Sequence, residues 1–71
     1  MTNSIIDKPE LGDLVMDYGD DLGVISLIEP PTGGVPELYF VFWSSGGLTG
    51  YTTAHKLNEI RAWTINVRLR P

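Results

Sequence analysis

Three apolar runs between Gly12 and Trp43, separated by two turn-forming insertions, constrain the fold of this chain most strongly. The second run begins at Leu22 and the third ends at Trp43. The insertions, residues 18–21 and 30–36, are rich in glycine, proline and aspartate, which favour turns. Short apolar runs separated by such turns are typical of an antiparallel meander. The sequence therefore predicts an all-β fold.

The first two predicted strands span residues 11–18 and 22–29. Alternation in the first strand defines a core face that consists of Leu14, Met16 and Tyr18. The second strand is apolar on both faces, with Ile25 and Leu27 on the same side. Gly23 inside this strand predicts a bulge or a sharp bend. The proline- and glycine-rich segment 30–36 is then a surface loop, for which the sequence indicates no role.

The third predicted strand, residues 38–43, is apolar on both faces. One face consists of Tyr39, Val41 and Trp43, and the other consists of Leu38, Phe40 and Phe42. A half-solvated antiparallel strand should carry polar residues on its outer face. If the first set fills the core, the second set forms an exposed apolar patch, and such patches usually mark an interface.

The last third of the chain predicts a strand at residues 51–54, a short helical turn at 55–60 and a strand at 62–69. Leu57 and Ile60 are three residues apart, as on one face of a 3₁₀ or helical turn. Alternation in the last strand predicts inward-facing side chains for Trp63, Ile65, Val67 and Leu69.

Five short strands in this order predict a small five-stranded SH3-like barrel with one short 3₁₀ or helical turn before the last strand. An OB-like barrel is the alternative, but residues 44–49 leave no room for its usual helix. The predicted organisation is an N-terminal arm, residues 1–10, followed by the barrel domain, residues 11–71. A partner is not the only way to cover the apolar patch. A strong bend in strand three, or Ile5 and Ile6 of the arm, could cover it within one chain.

The residues that follow resemble a pattern found in small SH3-like barrel proteins, many of them short proteins of tailed bacteriophages, including marine ones. The pattern comprises Gly12-Asp13-Leu14-Val15, Gly23-Val24-Ile25, Tyr39-x-Val41-x-Trp43, a glycine at 46 or 47, Leu57 and Ile60. The resemblance covers residues 11–60. It implies a fold rather than an activity, because SH3-like barrels host many functions.

The sequence contains no motif for catalysis or for cofactor binding. Cysteine is absent and His55, which we expect at the surface after strand four, is the only histidine. The pairs Ser44-Ser45 and Asp20-Asp21 are interpreted as turn residues. No phosphate loop or dinucleotide motif is present. We therefore expect no enzyme activity, no metal and no cofactor.

Nucleic-acid binding is the alternative function. Four of the five basic residues follow Phe40 and could form one patch, which comprises Lys56, Arg61, Arg68 and Arg70. The net charge of −4 disfavours generic binding to phosphate backbones. Arginines on an outer strand face also commonly serve only to prevent aggregation. A proline-peptide groove is disfavoured as well, because the aromatic residues alternate in phase with the core.

Self-association is the function that the sequence favours. A chain of 71 residues buries a small core, and chains of this size often rely on disulfides, metals or partner subunits. We predict a non-catalytic interaction module that forms a homo-oligomer through Leu38, Phe40 and Phe42. No secretory signal or membrane-spanning run is evident, so we expect a cytoplasmic location, in the host cell if a phage encodes the chain.

Overall fold

The computed structural model describes residues 9–61 and 63–66, the last three by their backbone only. These residues form one antiparallel sheet, in the strand order β4-β3-β2-β1-β5, and a short helix. The elements are β1 (Leu14–Met16), β2 (Leu22–Glu29), β3 (Leu38–Trp43), β4 (Thr52–Lys56), α1 (Leu57–Arg61) and β5 (Thr64–Asn66). The all-β prediction is confirmed. The sheet is open, with β4 and β5 at its two edges, so the predicted closure into a barrel is not confirmed.

Strand β3 provides half of the buried core. It has the predicted bounds, and the predicted face of Tyr39, Val41 and Trp43 is fully buried. These side chains pack with a second group that consists of Val15, Ile25 and Ile60. The alternation within β3 therefore predicts its inner and outer faces correctly.

Strand β1 is shorter than predicted and its faces are reversed. Val15 is 1% exposed, whereas Tyr18, predicted to be in the core, is 79% exposed. Before the strand, the buried Asp13 accepts a hydrogen bond from the Glu10 amide through Oδ2 (2.7 Å) and donates its own amide to the Glu10 carbonyl (3.0 Å). Gly12, at φ +87°, completes this turn. An aspartate engaged in a local turn can be buried, so hydropathy alone assigned the wrong face.

Strand β2 has the predicted bounds, but its bulge lies at Ser26, and the pairing at Gly23, where a bulge or bend was predicted, is regular. Ile25 is opposite Val41, and Leu27 is opposite Phe40, so one extra residue is inserted. Beyond the bulge the faces exchange. Ile28 consequently packs against the core while Leu27 is exposed, and the prediction that Ile25 and Leu27 share a face is wrong.

The β2–β3 connection is a compact turn within the predicted surface loop. The Thr32 and Val35 backbones exchange hydrogen bonds of 3.0 and 2.7 Å. Gly33 and Gly34 between them both have positive φ, which allows a two-residue hairpin turn. Residues 30–36 are all exposed, as the sequence predicted.

The elements after β3 shift by a few residues from their predicted positions. Strand β4 runs two residues beyond the predicted end and includes His55, which is half-buried and not a surface residue after the strand. The predicted helical turn is confirmed as α1, whose Ile60 is buried. Strand β5 pairs with β1, and Trp63 packs against the core. Residues 1–8 of the predicted arm, and Val67 and Leu69 of the last strand, lie outside the described residues.

Candidate functional site

The outer sheet face is the surface opposite the core. Cross-strand partners share a face, so the register identifies its members. Leu14 is opposite Val24, Val24 is opposite Phe42, and Phe40 lies between Leu27 and Ala54. We define the outer face by its apolar residues, which are Leu14, Met16, Leu22, Val24, Leu27, Leu38, Phe40, Phe42 and Ala54.

This outer face exposes large apolar side chains on adjacent strands. Leu22 is 43% exposed, Leu27 47% and Phe42 41%. The cross-strand row at one end carries Glu29 and Lys56 on either side of Leu38. An apolar centre with charged residues at its margin is the composition expected of an interface rather than of an ordinary solvated sheet face.

The three predicted interface residues all lie on the outer face, but they differ in exposure. Phe42 is exposed, whereas Leu38 and Phe40 are half-buried. Sequence reasoning missed the leucines and the valine that β1 and β2 add to this face. The alternation within β3 is legible in the sequence, whereas the contribution of Leu27 depends on the bulge at Ser26.

A second feature is a line of hydrogen bonds from Trp43 to α1. The Trp43 indole Nε1 donates to Thr53 Oγ1 (2.7 Å), and Thr53 Oγ1 is 2.6 Å from His55 Nε2. His55 Nδ1 is 3.2 Å from Glu59 Oε1. Since a carboxylate only accepts, His55 Nδ1 is the donor to Glu59, and in the neutral ring Nε2 is then the acceptor from the Thr53 hydroxyl. In the sequence, this line is visible only as two spacings. Thr53 and His55 are two residues apart on a strand, and Glu59 follows His55 by four residues in a helical turn.

The hydroxyl–imidazole–carboxylate order of this line is the order found in nucleophilic catalysis. Here the Trp43 indole donates to the Thr53 oxygen, which reduces the electron density that a nucleophile needs. The rings of Trp43 and His55 both contact Trp63, with centroid separations of 5.6 and 4.8 Å. These contacts join β3, β4 and the segment after α1 through one cluster of aromatic rings.

The buried Tyr39 has a polar partner at the end of β3. Its hydroxyl donates to Glu37 Oε1 at 2.6 Å. Burial, followed by the effects of this hydrogen bond and of the Glu37 charge, raises the pKa of Tyr39 to about 12, while the Arg61 charge lowers it. The neutral phenol is therefore favoured in the folded chain.

We expect one of the three tyrosines to ionise only near pH 12, because the folded pKa of Tyr39 is raised from 10. Stability contributed by this group is complete below pH 10 and is lost as the pH rises towards 12, since the unfolded chain releases the proton first. Tyrosinate absorbance measured against pH tests this. Tyr39→Phe should remove the high-pH step, and Glu37→Gln should move it to lower pH. A Tyr39→Phe titration that retains the step would contradict the assignment.

The predicted basic patch is only partly described. Lys56 ends β4, Arg61 ends α1, and both are exposed, whereas Arg68 and Arg70 lie outside the described residues. The acidic Glu59 lies between Lys56 and Arg61 in the sequence. Its Oε1 accepts a hydrogen bond from the Lys56 amide at 3.1 Å. The patch stays a prediction.

The acidic residues around the β1–β2 turn stabilise the turn itself. Asp17 Oδ1 accepts hydrogen bonds from the amides of Gly19 (2.9 Å) and Asp21 (3.0 Å). Asp20 has a φ of 65°, which aspartate tolerates better than most residues. Within residues 9–61 and 63–66, no group of His, Asp or Glu is arranged to hold a metal ion.

In the same described part of the chain, no helix has the length and apolar content needed to cross a bilayer. No protein-family model matches the sequence, and no curated protein or solved structure is significantly similar to it. The resemblance to phage SH3-like proteins therefore stays a prediction, and function is argued from the surfaces of the molecule.

Proposed function

We propose that this chain is a non-catalytic interaction module of SH3-like architecture that self-associates through its outer sheet face. The observation that carries the proposal is the apolar outer face itself, on which Leu22, Leu27 and Phe42 each leave more than two fifths of their surface exposed. Burial of apolar surface contributes roughly 25 cal/mol per Å². A partner that covers this face buries apolar side chains of several strands, and each buried side chain adds to the free energy of association.

The strand order supports the SH3-like part of the proposal. A four-strand meander, a short helical turn after β4 and a fifth strand that pairs with β1 form the expected sequence of elements. The strong curvature that such a fold needs is favoured by the bulge at Ser26 and by the absence of a side chain at Gly23. These two features support the SH3-like part of the proposal without closing the sheet.

The small size of the core supports association with a second copy. Six hydrophobic side chains of the described residues are fully buried, which is few for a chain that must stay folded at low concentration. A symmetric pair of outer faces places identical apolar patches together, as a two-fold interface requires. Glu29 and Lys56, at the end of the face, are suited to the polar margin of the contact.

We expect Phe42→Arg to reduce the assembly state, because a guanidinium at the centre of the outer face would have to be desolvated on association. The measurement is molar mass by size-exclusion chromatography with light scattering at micromolar concentration. Tyr18→Arg is the matched control, since it makes the same charge change at an aromatic residue in the exposed β1–β2 turn.

The control should keep the molar mass of the parent chain. Far-UV circular dichroism should be unchanged in both variants, because neither side chain belongs to the core. A parent chain that is monomeric across this concentration range, or a Phe42→Arg variant with the parent's mass, would sink the proposal.

A further inference from the structure

We infer that two copies of this chain stack their outer faces about a two-fold axis that runs along β3, so that β2 of each copy faces β4 of the other. This inference rests on the proposed function and deepens it, because it gives the orientation of the second copy and the contacts that select that orientation. The occupant of the outer face is thus a second copy in one defined arrangement.

Three cross-strand rows form the middle of the outer face, and each has a β3 residue at its centre. Cross-strand partners share a face, so the register gives the rows directly. Written from β2 to β4, they are Glu29–Leu38–Lys56, Leu27–Phe40–Ala54 and Val24–Phe42–Thr52. Rotation about an axis along β3 places each row against the same row of the second copy, with its β2 and β4 ends exchanged.

The charged row selects this orientation. Glu29 and Lys56 are both exposed and lie two strands apart, with about 10 Å between their Cα atoms. Within the described part of the chain, neither side chain takes part in a hydrogen bond or an ion pair. In the two-fold pair, Glu29 of each copy faces Lys56 of the partner subunit. Packed sheets lie about 10 Å apart, a distance that these two long side chains span together.

The apolar rows are complementary in size under the same rotation. Leu27, which is 47% exposed, faces the small Ala54 of the partner subunit, and Val24 faces Thr52 of the partner subunit, a side chain of similar shape. Phe40 and Phe42 lie at the axis, where the aromatic rings of the two copies come together. A large side chain opposite a small one allows the close packing found at the centre of stable interfaces.

Other two-fold arrangements of the same face leave the charges unmatched. An axis along the charged row places Glu29 against Glu29 of the partner subunit and Lys56 against Lys56 of the partner subunit, and like charges across an interface are unfavourable. An axis along the Phe40 row places Glu29 against Val24 of the partner subunit, where the carboxylate is desolvated without a cation. The axis along β3 avoids both penalties.

Charge reversal tests the orientation. Glu29→Lys and Lys56→Glu each replace two ion pairs of the assembly by two like-charge contacts, and each should raise its dissociation constant about tenfold. An equimolar mixture of the two variants should recover the parent's molar mass at a concentration where each variant alone is monomeric, because both contacts in the mixed dimer join a lysine to a glutamate. Mixing leaves contacts within one chain unchanged, so recovery identifies a contact between chains. The measurement is light scattering.

Asp20→Lys and Arg61→Glu are the matched controls, because they make the same changes of net charge outside the outer face. Asp20 lies in the exposed β1–β2 turn, and Arg61 ends α1, whose Ile60 packs in the core on the opposite side of the sheet. Each control alone should keep the parent's molar mass. Far-UV circular dichroism should be unchanged in all four variants, since each replaces an exposed side chain.

Cross-linking gives a second readout that does not depend on charge. The chain has no cysteine, so a single introduced cysteine can be linked only to its own copy in a second chain. A short bis-maleimide should link two chains of Phe42→Cys, because these positions face each other across about 10 Å. Leu14→Cys lies on the same face but two strands from β3, so its two copies are about 20 Å apart and should not be linked.

The outcomes separate this inference from the proposed function. A parent chain that is monomeric would overturn both. A parent that assembles would leave the proposed function standing, and the orientation would then be wrong if the two charge variants keep the parent's mass or fail to recover it on mixing. Cross-linking of Leu14→Cys in place of Phe42→Cys would also overturn the orientation alone.

Discussion

We expect Gly23→Val to lower the free energy of unfolding by about 3 kcal/mol or more. A β-carbon at position 23 would lie 2.5 Å from Val41 Cγ1 and 2.9 Å from Trp43 Cε3, both in the centre of the core. Overpacking typically costs about 1–3 kcal/mol, and the two further methyl groups of valine add to it. A chain of this size has a free energy of unfolding of only about 4–11 kcal/mol. Urea denaturation followed by circular dichroism measures the loss.

Gly47→Val is the matched control for this substitution. A β-carbon at Gly47 would meet no atom within 4 Å, and the residue has no positive φ. Its unfolding midpoint should stay close to that of the parent, because substitutions at open surface sites change stability by about 0.5 kcal/mol or less. A Gly23→Val variant with the parent's midpoint would show that β2 and β3 do not approach each other this closely.

The second large effect is expected for Trp43→Ala, which should lower the free energy of unfolding by about 3–5 kcal/mol. Trp43 is 1% exposed, and its indole packs against Trp63 and donates to Thr53. Truncation therefore leaves a cavity and removes the first donor of the line that continues to His55. Denaturant titration, monitored by far-UV circular dichroism, gives the change directly.

Trp43→Phe separates the two contributions. It preserves most of the packing but removes the indole N–H, so a loss of about 1–3 kcal/mol is expected from the lost hydrogen bond to Thr53 Oγ1 and the smaller ring. Tyr51→Ala, at an exposed aromatic residue, should have little effect. If Trp43→Ala were no more destabilising than Tyr51→Ala, the side chain could not be the centre of the core.

Small size links these stability predictions to the proposed assembly. Anything that binds the folded chain and not the unfolded one raises apparent stability by mass action, and a second copy does so by an amount that grows with the logarithm of the concentration. The effects of Gly23→Val and Trp43→Ala should therefore be compared at matched concentration. They are also best measured in the Phe42→Arg background, where contacts through the outer face are removed.

The parts of the fold that the sequence predicts correctly are those where one local pattern is long enough to be decisive. The six residues of β3 form one uninterrupted apolar run, and the two-residue period of a strand divides them into two apolar faces, one of which is the candidate interface. The spacing of Leu57 and Ile60 identifies α1, although five residues are too few to form a helix without tertiary contacts. The glycine, proline and aspartate residues of segments 18–21 and 30–36 correctly predict the connections between the first three strands.

The errors occur where burial depends on side-chain hydrogen bonds and ring contacts, which hydropathy does not register. In β1, three residues cannot establish a period, and burial of Asp13 depends on its bonds to the Glu10 backbone. The side chain of His55 is positioned by its hydrogen bonds to Thr53 and Glu59 and by its ring contact with Trp63.

For this chain, hydropathy and turn chemistry were sufficient to specify an antiparallel β meander with an unusually apolar third strand, because both act between residues that are close in sequence. The face of β1, the exchange of faces at Ser26 and the extent of the outer face follow from strand register instead. Register is set by pairing between residues that are distant along the chain, and a shift of one residue moves a side chain from the core to the surface. That is why Leu27 joins Phe42 on the outer face although local alternation places it with Ile25.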